Sequence, residues 1–371
     1  MIEWLKRNIQ GDKYIWLIAI TLSVIGLLAV YSATSLLAFQ QKDGNTEFFL
    51  IKHFLLIAFS FVAMWFAHKI DYKYYSKIAL IGLYVSVPLL ILTYTFGVNT
   101  NEASRWISIP VINMAFQPSD LAKLSLIVYL SSFLAKKQYD LDKIKTLIIP
   151  FIWIGTICMF IALANLSTAL ILGATSILLM FISRVKISHL SLLIFFVLFS
   201  GGIALLTGQR GYTAISRVED FINKKNLPYQ LEQAYIAVST GGLFGKGPGN
   251  SNQKNFLPQS SSDFIYAIIV EEYGFIMGIS VLFLYLLLLY RGLKIFINSD
   301  RPFGGLLSAG LSFALVIQAI TNMCVVVGLL PVTGVTLPLV SMGGTSQLFT
   351  GITIGIILSI SRENERESSY A

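Results

Sequence analysis

The stretch QSSSDFIYAIIVEEYGF, residues 259–275, sets three carboxylates along an otherwise apolar run. Asp263 stands where a polar loop gives way to the run. Glu271 and Glu272 follow about two helical turns on, roughly 12 Å deeper at about 1.5 Å per residue. Asp263 can be read as a helix N-terminal charge favoured by the macrodipole, with Ser260, Ser261 and Ser262 as caps. It can also be a general base or an ion-pairing group in a cavity. Carboxylates within an apolar span usually face a cavity or a partner, so the two glutamates favour function.

A second stretch, EASRWISIPVINMAFQPSDLAKLSL (102–126), brings Arg105 and Trp106 just ahead of a helix opened by Gln117, Pro118, Ser119 and Asp120. Asp120 and Lys123 are three apart and can pair on one face. An interfacial aromatic anchor and a capped helix start explain this pattern; reception of an anion by Arg105 and Lys123 is the alternative. Gln318 and Asn322, four apart, share a face, and buried amides of this kind more often bridge helices than touch substrate. The segment GLLPVTGVTLPLVSMGGTSQL (328–348) then breaks the backbone with two prolines, glycines and hydroxyls including Ser341. Irregular backbone at membrane depth is tolerated only against protein or a water-filled cavity, so this segment lines a cavity.

These residues must be held by membrane helices. The chain has 371 residues, of which 55% are hydrophobic and 12% charged, against about 25% charged in a typical soluble domain. Ten apolar spans are expected: 13–36, 48–67, 75–97, 119–135, 146–163, 168–183, 188–207, 264–290, 303–329 and 343–361, the fourth to sixth short enough to tilt or merge. The fold class is therefore an all-α polytopic membrane protein, and MIEWLKRNIQGDK leads into a retained first helix rather than a cleaved signal. Most of the 27 Lys and Arg residues fall in the short loops of one side, which places both termini in the cytoplasm. The net charge of +8 is largely this bias and no sign of nucleic-acid binding. The outward segment 208–262, about 55 residues, is too long for a connector; its amphipathic stretches predict short surface helices. Cys158 and Cys324 read as buried thiols, the three histidines are scattered, and no Walker or Rossmann glycine pattern appears.

Five blocks in order then resemble the SEDS family, the group of FtsW, RodA and SpoVE: GLLAVYSAT at 26–34, ASRWI with QPSDLAKL at 103–124, GGLFGKGPG at 241–249, SSDFIYAIIVEEYGF at 261–275, and Gln318, Asn322 with GLLPVTGVTLPLVSMGGTS to 346. The opening GDKYIWLIAITLSVIGLLAVYSAT and the compact termini look more like the division member, FtsW, than RodA. The resemblance covers nearly the whole chain and implies a single transmembrane domain over 1–371. It implies a peptidoglycan glycosyltransferase of the cytoplasmic membrane that polymerises lipid II on the outer face, with a class B penicillin-binding transpeptidase and other division membrane proteins as partners. By this resemblance Asp263 is the general base, and a divalent cation, Mg2+ or Mn2+, is expected there. The implied substrate-binding set is Arg105, Gln117, Asp120, Lys123, Arg217, Lys246, Glu272, Gln318, Asn322 and Ser341.

Two positions depart from the family pattern. Asn165 in ALANLSTA stands where an acid is common, with Ser167 in place of glycine, and Asp120 replaces a longer glutamate. Two other functions share the same polar inventory: a flippase for lipid II, and a scaffold that recruits the transpeptidase. A flippase needs polar groups along the whole path, whereas the distinctive polar residues here crowd the outer half.

Overall fold

Each expected apolar span is matched by a helix. The computed structural model describes residues 10–35, 38–39, 46–96, 98–100, 103–109, 114–207, 215–219, 221 and 228–370. Its long helices are α1 (Lys13–Ala33), α2 (Thr46–Lys69), α3 (Tyr75–Phe96), α4 (Pro118–Lys136), α5 (Ile144–Ala164), α6 (Leu166–Ile182), α7 (Ile187–Thr207), α8 (Tyr229–Gly241), α9 (Ile265–Ile297), α10 (Pro302–Val326) and α11 (Thr345–Tyr370). Seven of them, α1, α2, α3, α5, α7, α9 and α10, are long and apolar enough to cross a membrane by length and composition. The other three expected spans, α4, α6 and α11, are shorter or more polar, and α4, α5 and α6 remain separate helices. Pro88 and Pro150 lie inside α3 and α5, as helices in apolar surroundings tolerate.

Two ties set the register of α1 against α9. At one end the Arg291 Nε donates to Asp12 Oδ2 at 2.6 Å, and Asp12 caps α1 by accepting from the Tyr14 amide at 2.9 Å. At the other end the Ser32 hydroxyl donates to Glu272. Residues 12–32 of one helix thus lie antiparallel to 272–291 of the other, a run of roughly 30 Å that matches the thickness of a bilayer core. Glu271 and Glu272 are therefore level with the end of α1, not two turns into the bundle as the apolar run implied.

Close approach elsewhere depends on small residues. A Cβ at Gly351 or Gly355 of α11 would collide with the Ser60 or Met64 carbonyl of α2. The two helices consequently run parallel and in near backbone contact, the geometry that small residues permit between helices in apolar surroundings. Gly292 of α9 fits against Ser312 of α10 in the same way.

One departure from an all-helical reading lies between α3 and α4. Strands β1 (Val98–Thr100), β2 (Ala103–Ile109) and β3 (Met114–Phe116) form a small antiparallel sheet in that order, with Ile107 opposite Phe116. The segment SRWISI is rich in strand formers, Trp106, Ile107 and Ile109, a signal obscured by the long apolar runs on both sides.

Replacing Arg291 by methionine would leave Asp12, 4% exposed in its side chain, as a buried charge without its partner. The expected loss is about 3 kcal/mol, read as a lower unfolding midpoint in detergent. Asp12→Asn should lose less, because it keeps an acceptor for the Tyr14 amide.

Candidate functional site

The turn that carries Asp263 is held by its main chain. Residues 261–264 are non-helical and α9 begins at Ile265, capped by no side chain. Three consecutive carbonyls of this turn are each taken by a donor from another part of the chain. The Ser261 carbonyl accepts from the Met342 amide at 2.9 Å, and the Ser262 carbonyl from the Ser341 hydroxyl at 2.6 Å. The Asp263 carbonyl accepts from Asn322 Nδ2 at 2.7 Å. The serines therefore do not cap the helix as the sequence implied; Ser262 instead donates to Gln259 Oε1 at 2.7 Å.

The same donors organise the broken segment between α10 and α11. Asn322 Nδ2 also donates to the Val335 carbonyl at 2.7 Å, and Gln318 Nε2 to the Thr336 carbonyl at 3.0 Å. Ser341 Oγ accepts the Leu337 amide at 2.8 Å, Gln347 Nε2 donates to the Ser341 carbonyl at 3.1 Å, and the Tyr285 hydroxyl donates to Pro338 O. The amide ladder of α10 thus reaches the Asp263 turn and the broken segment together. Gln318 and Asn322 brace backbone, as buried amides commonly do.

The Asp263 side chain is left half-buried at this junction. Its charge is felt by Arg217, whose pKa is pulled down by burial and supported by the Asp263 carboxylate. Arg217 Nη1 donates to the Val332 carbonyl at 3.3 Å. The same arginine walls a cavity of about 320 Å³ lined mainly by apolar residues, among them Leu166, Leu170, Ile317, Leu330 and Val332, with Asn165, Ser167, Thr321 and Thr333 as polar exceptions. The broken segment does line a cavity. Asn165 has a structural task as the cap of α6, accepting the Thr168 amide at 3.4 Å.

The QPSD motif lies on the opposite flank. Lys123 Nζ sits 2.8 Å from Asp120 Oδ1 and 3.5 Å from Gln318 Oε1, so the shorter acid still makes the pair. The Gln117 amide donates to Thr345 Oγ1 at 3.2 Å, and Thr345 in turn donates to the Ala115 carbonyl at 3.2 Å. Trp106 lies over Gly344, whose added Cβ would be 3.8 Å from its ring. Arg105 belongs to β2 by its backbone; its side chain lies outside the described residues.

Lys246, Glu271 and Glu272 form a separate buried knot. Gly274 interrupts α9 at φ 80°, ψ 177°, a region open to glycine alone. Its freed groups are paired by the GGLFGKGPG loop. The Phe275 amide donates to the Gly242 carbonyl at 2.9 Å, while the Lys246 and Gly247 amides donate to the Glu271 and Glu272 carbonyls at 3.0 and 2.9 Å. Glu271, fully buried, takes Lys246 Nζ at 2.6 Å, the Ser251 hydroxyl, and the Asn252 and Gln253 amides at 3.1 and 3.2 Å. Glu272 takes Ser32 and the Ser251 amide at 3.3 Å. Helix α8 packs along this first part of α9, and a Cβ at Gly241 would collide with the Val270 carbonyl.

Sequence reasoning assigned no role to Ser32, Ser251 or Tyr285, though Ser32 lies in the GLLAVYSAT block. That block is explained here: Ser32 meets Glu272, the Ala33 carbonyl accepts Ser260 Oγ at 3.2 Å, and Gly26 clears Val340, which a Cβ would approach to 2.7 Å.

Similar proteins identify the lineage. The FtsW, RodA and SpoVE family, described as cell cycle proteins, matches residues 12–366. The chain belongs to that family. It is 33% identical over 365 residues to a probable peptidoglycan glycosyltransferase FtsW of Geobacter sp. (strain M18), covering 96% of this chain and 98% of the relative. Stage V sporulation protein E of Bacillus subtilis (strain 168) is 33% identical over 371 residues with the same coverage. A chain of a solved peptidoglycan synthase complex shares the fold with a TM-score of 0.75 at 22% identity, over 95% of this chain and 98% of that one. The rod shape determining protein RodA of Thermus thermophilus gives 0.70 at 22% identity, over 98% and 99%. The protein is thus a multi-pass membrane protein of the SEDS type.

Asn322→Ala should strip the shared donor from two carbonyls at once. A loss of about 2 kcal/mol is expected, measured by denaturant unfolding in detergent. Gly274→Ala, whose Cβ would strike the Leu243 carbonyl, should lower the unfolding midpoint, whereas Gly155→Ala, on a helical backbone with open space around it, should not.

Proposed function

We propose that this chain is a peptidoglycan glycosyltransferase that polymerises lipid II during cell division, with Asp263 as the general base. The observation that carries the reading is the junction described above. A half-buried carboxylate couples electrostatically to Arg217, and Arg217 walls a mainly apolar cavity suited to a polyprenyl chain with a phosphate at its head. The names of its relatives support the reaction class.

In the proposed reaction the acceptor sugar 4-hydroxyl attacks the anomeric carbon of the donor. Asp263 takes the hydroxyl proton as the new C–O bond forms. The bond from that carbon to the pyrophosphate oxygen breaks, and its electron pair leaves with undecaprenyl pyrophosphate, inverting the centre. In this reading Arg217 meets the charge that develops on the leaving group. A pyrophosphate leaves without protonation, so a second carboxylate, required in glycoside hydrolysis, is not needed here. Arg105 and Gln117 belong to the flank that would receive the sugars, beneath the Trp106 strand.

A divalent ion also fits this reading. Among the described residues no three His, Cys, Asp or Glu side chains converge. Mg2+ commonly uses one or two carboxylates and lets substrate phosphates complete its shell, so Asp263 alone would suffice on the protein side. When bound, the ion would neutralise pyrophosphate charge.

The end of the bundle that carries Asp263 is proposed to face outward from the cytoplasmic membrane. Lys69, Lys136, Arg291 and Arg362 gather at the opposite end, as the positive-inside rule requires of the cytoplasmic side. A class B transpeptidase and other division membrane proteins are the proposed partners, in keeping with the synthase complex that shares the fold.

Purified protein with its partner transpeptidase and labelled lipid II tests the assignment. Asp263→Asn should lower polymerisation about 10²–10⁴-fold while still folding, because the three clamps on this turn hold main-chain carbonyls. Polymerisation surviving in Asp263→Asn and Asp263→Ala would remove the base, and transbilayer movement of lipid II without polymer would establish a flippase. Arg217→Gln is expected to slow the reaction by about 10²-fold, and chelation of divalent ions should slow the wild type.

A further inference from the structure

The lipid-facing side of α9 begins abruptly. Ile276, Ile279, Phe283, Leu286 and Tyr290 recur every three or four residues and are all exposed, so they form one apolar stripe along the helix. In a multi-pass membrane protein such a stripe faces acyl chains. Ahead of Gly274 the same helix is covered: residues 265–272 are buried, with α8 packed along them. The stripe thus starts just past Glu272, which meets Ser32 at the end of α1. The length of α1 independently puts that level at the edge of the apolar layer.

The GGLFGKGPG loop descends to this edge and turns back. The Phe275 amide donates to the Gly242 carbonyl at 2.9 Å and the Ile276 amide to the Leu243 carbonyl at 3.4 Å. The Lys246 and Gly247 amides reach the Glu271 and Glu272 carbonyls instead, at 3.0 and 2.9 Å. Residues 242–243 therefore lie alongside the first residues of the stripe, and by Lys246 the chain has risen again. At the lowest point stand Leu243 and Phe244, 62% and 80% exposed. The exposed residues on either side, Ser239 and Thr240 before them and Pro248, Gly249 and Asn250 after, are small or polar. The apolar pair thus coincides with the part of the loop that overlaps the stripe.

The pair is held where it is. Besides the main-chain bonds, the Lys246 ammonium is fastened to buried Glu271 at 2.6 Å, and Gly245 and Gly274 let loop and helix meet at backbone contact. Two large apolar side chains fixed outward are unfavourable in water and favourable in an acyl layer.

We propose that Leu243 and Phe244 form a wedge inserted into the lipid leaflet at the Asp263 end of the bundle, covered by the same acyl chains that cover the α9 stripe. Because the wedge is bonded to α9 at its break, it holds the 265–272 segment, and the Asp263 turn that precedes it, at a set height above the apolar layer. The wedge does not depend on the reaction assigned to Asp263.

The test places a nitroxide label on the full chain in phosphatidylcholine and phosphatidylglycerol liposomes. Cys324→Ala removes the partly exposed thiol, while Cys158 is buried beyond the reagent's reach. Leu243→Cys and Phe244→Cys each replace an exposed side chain and keep the main-chain bonds; Asn250→Cys and Phe283→Cys serve as aqueous and acyl-layer references. Labels at 243 and 244 should collide with dissolved oxygen several-fold more often than with an aqueous nickel chelate, as at 283, and the ratio should reverse at 250. The ratio of position 250 at both wedge positions would put the tip in water and overturn the proposal. Labels shielded from both reagents would show a protein surface over the tip, from a second copy or another part of the chain, and would overturn it as well.

Discussion

The structure depends on a seam between two pieces of irregular backbone. Main-chain carbonyls in apolar surroundings cannot be left without donors, and both the 261–263 turn and the 330–344 segment lack a helical ladder. Each supplies what the other needs: Met342 and Ser341 donate to residues 261 and 262, and Asn322 donates to both Asp263 and Val335. The seam fixes where the Asp263 backbone lies without using its carboxylate. A site built this way separates the support of a functional side chain from its chemistry, which is the arrangement that precise placement requires.

The kink at Gly274 follows the same logic one step away. Breaking α9 frees two carbonyls and two amides, and the glycine-rich loop pairs with them on both sides. Only a loop with glycines could come so near: Gly245 lies against the Glu272 carbonyl, and Gly274 against that of Leu243. Burying Glu271 against Lys246 and three further donors then locks the loop onto the helix. Acids that look like chemistry in a one-dimensional reading thus serve as fasteners. Their charge is useful because a carboxylate can accept several hydrogen bonds where a carbonyl accepts at most two.

Much of this was legible in advance, and the failures have physical causes. The spans are legible because apolar length is imposed by the bilayer, and the pairing of Asp120 with Lys123 because helical spacing dictates it. The level of Glu271 and Glu272 at the end of α1 is not legible, because it depends on where α9 bends, and a single glycine at positive φ, Gly274, is invisible to periodicity. The serines look like caps because a cap motif is local, whereas residues 261–263 are satisfied by donors some 60 to 80 positions away. The roles of Ser32 and Tyr285 were not legible at all, since a lone hydroxyl in an apolar run gives no sign of what it will meet.

Lys123 shows how the two levels join. Read as a point charge beside Arg105, it is a ready partner for pyrophosphate. In the fold it is held by Asp120 and reaches Gln318, and Gln318 lies one turn below Asn322 on the same face of α10. The pair is largely neutral toward its surroundings, and the cavity beside it is small, about 50 Å³. That volume admits a few waters and no sugar phosphate. The ion pair therefore acts most directly on the seam, by tying α4 to the helix whose amides hold the Asp263 turn. A long-range passage for a charged headgroup would need a wide polar route here, and among the described residues this place holds a brace instead. This is a physical reason to favour polymerisation at the Asp263 end over transport through the bundle.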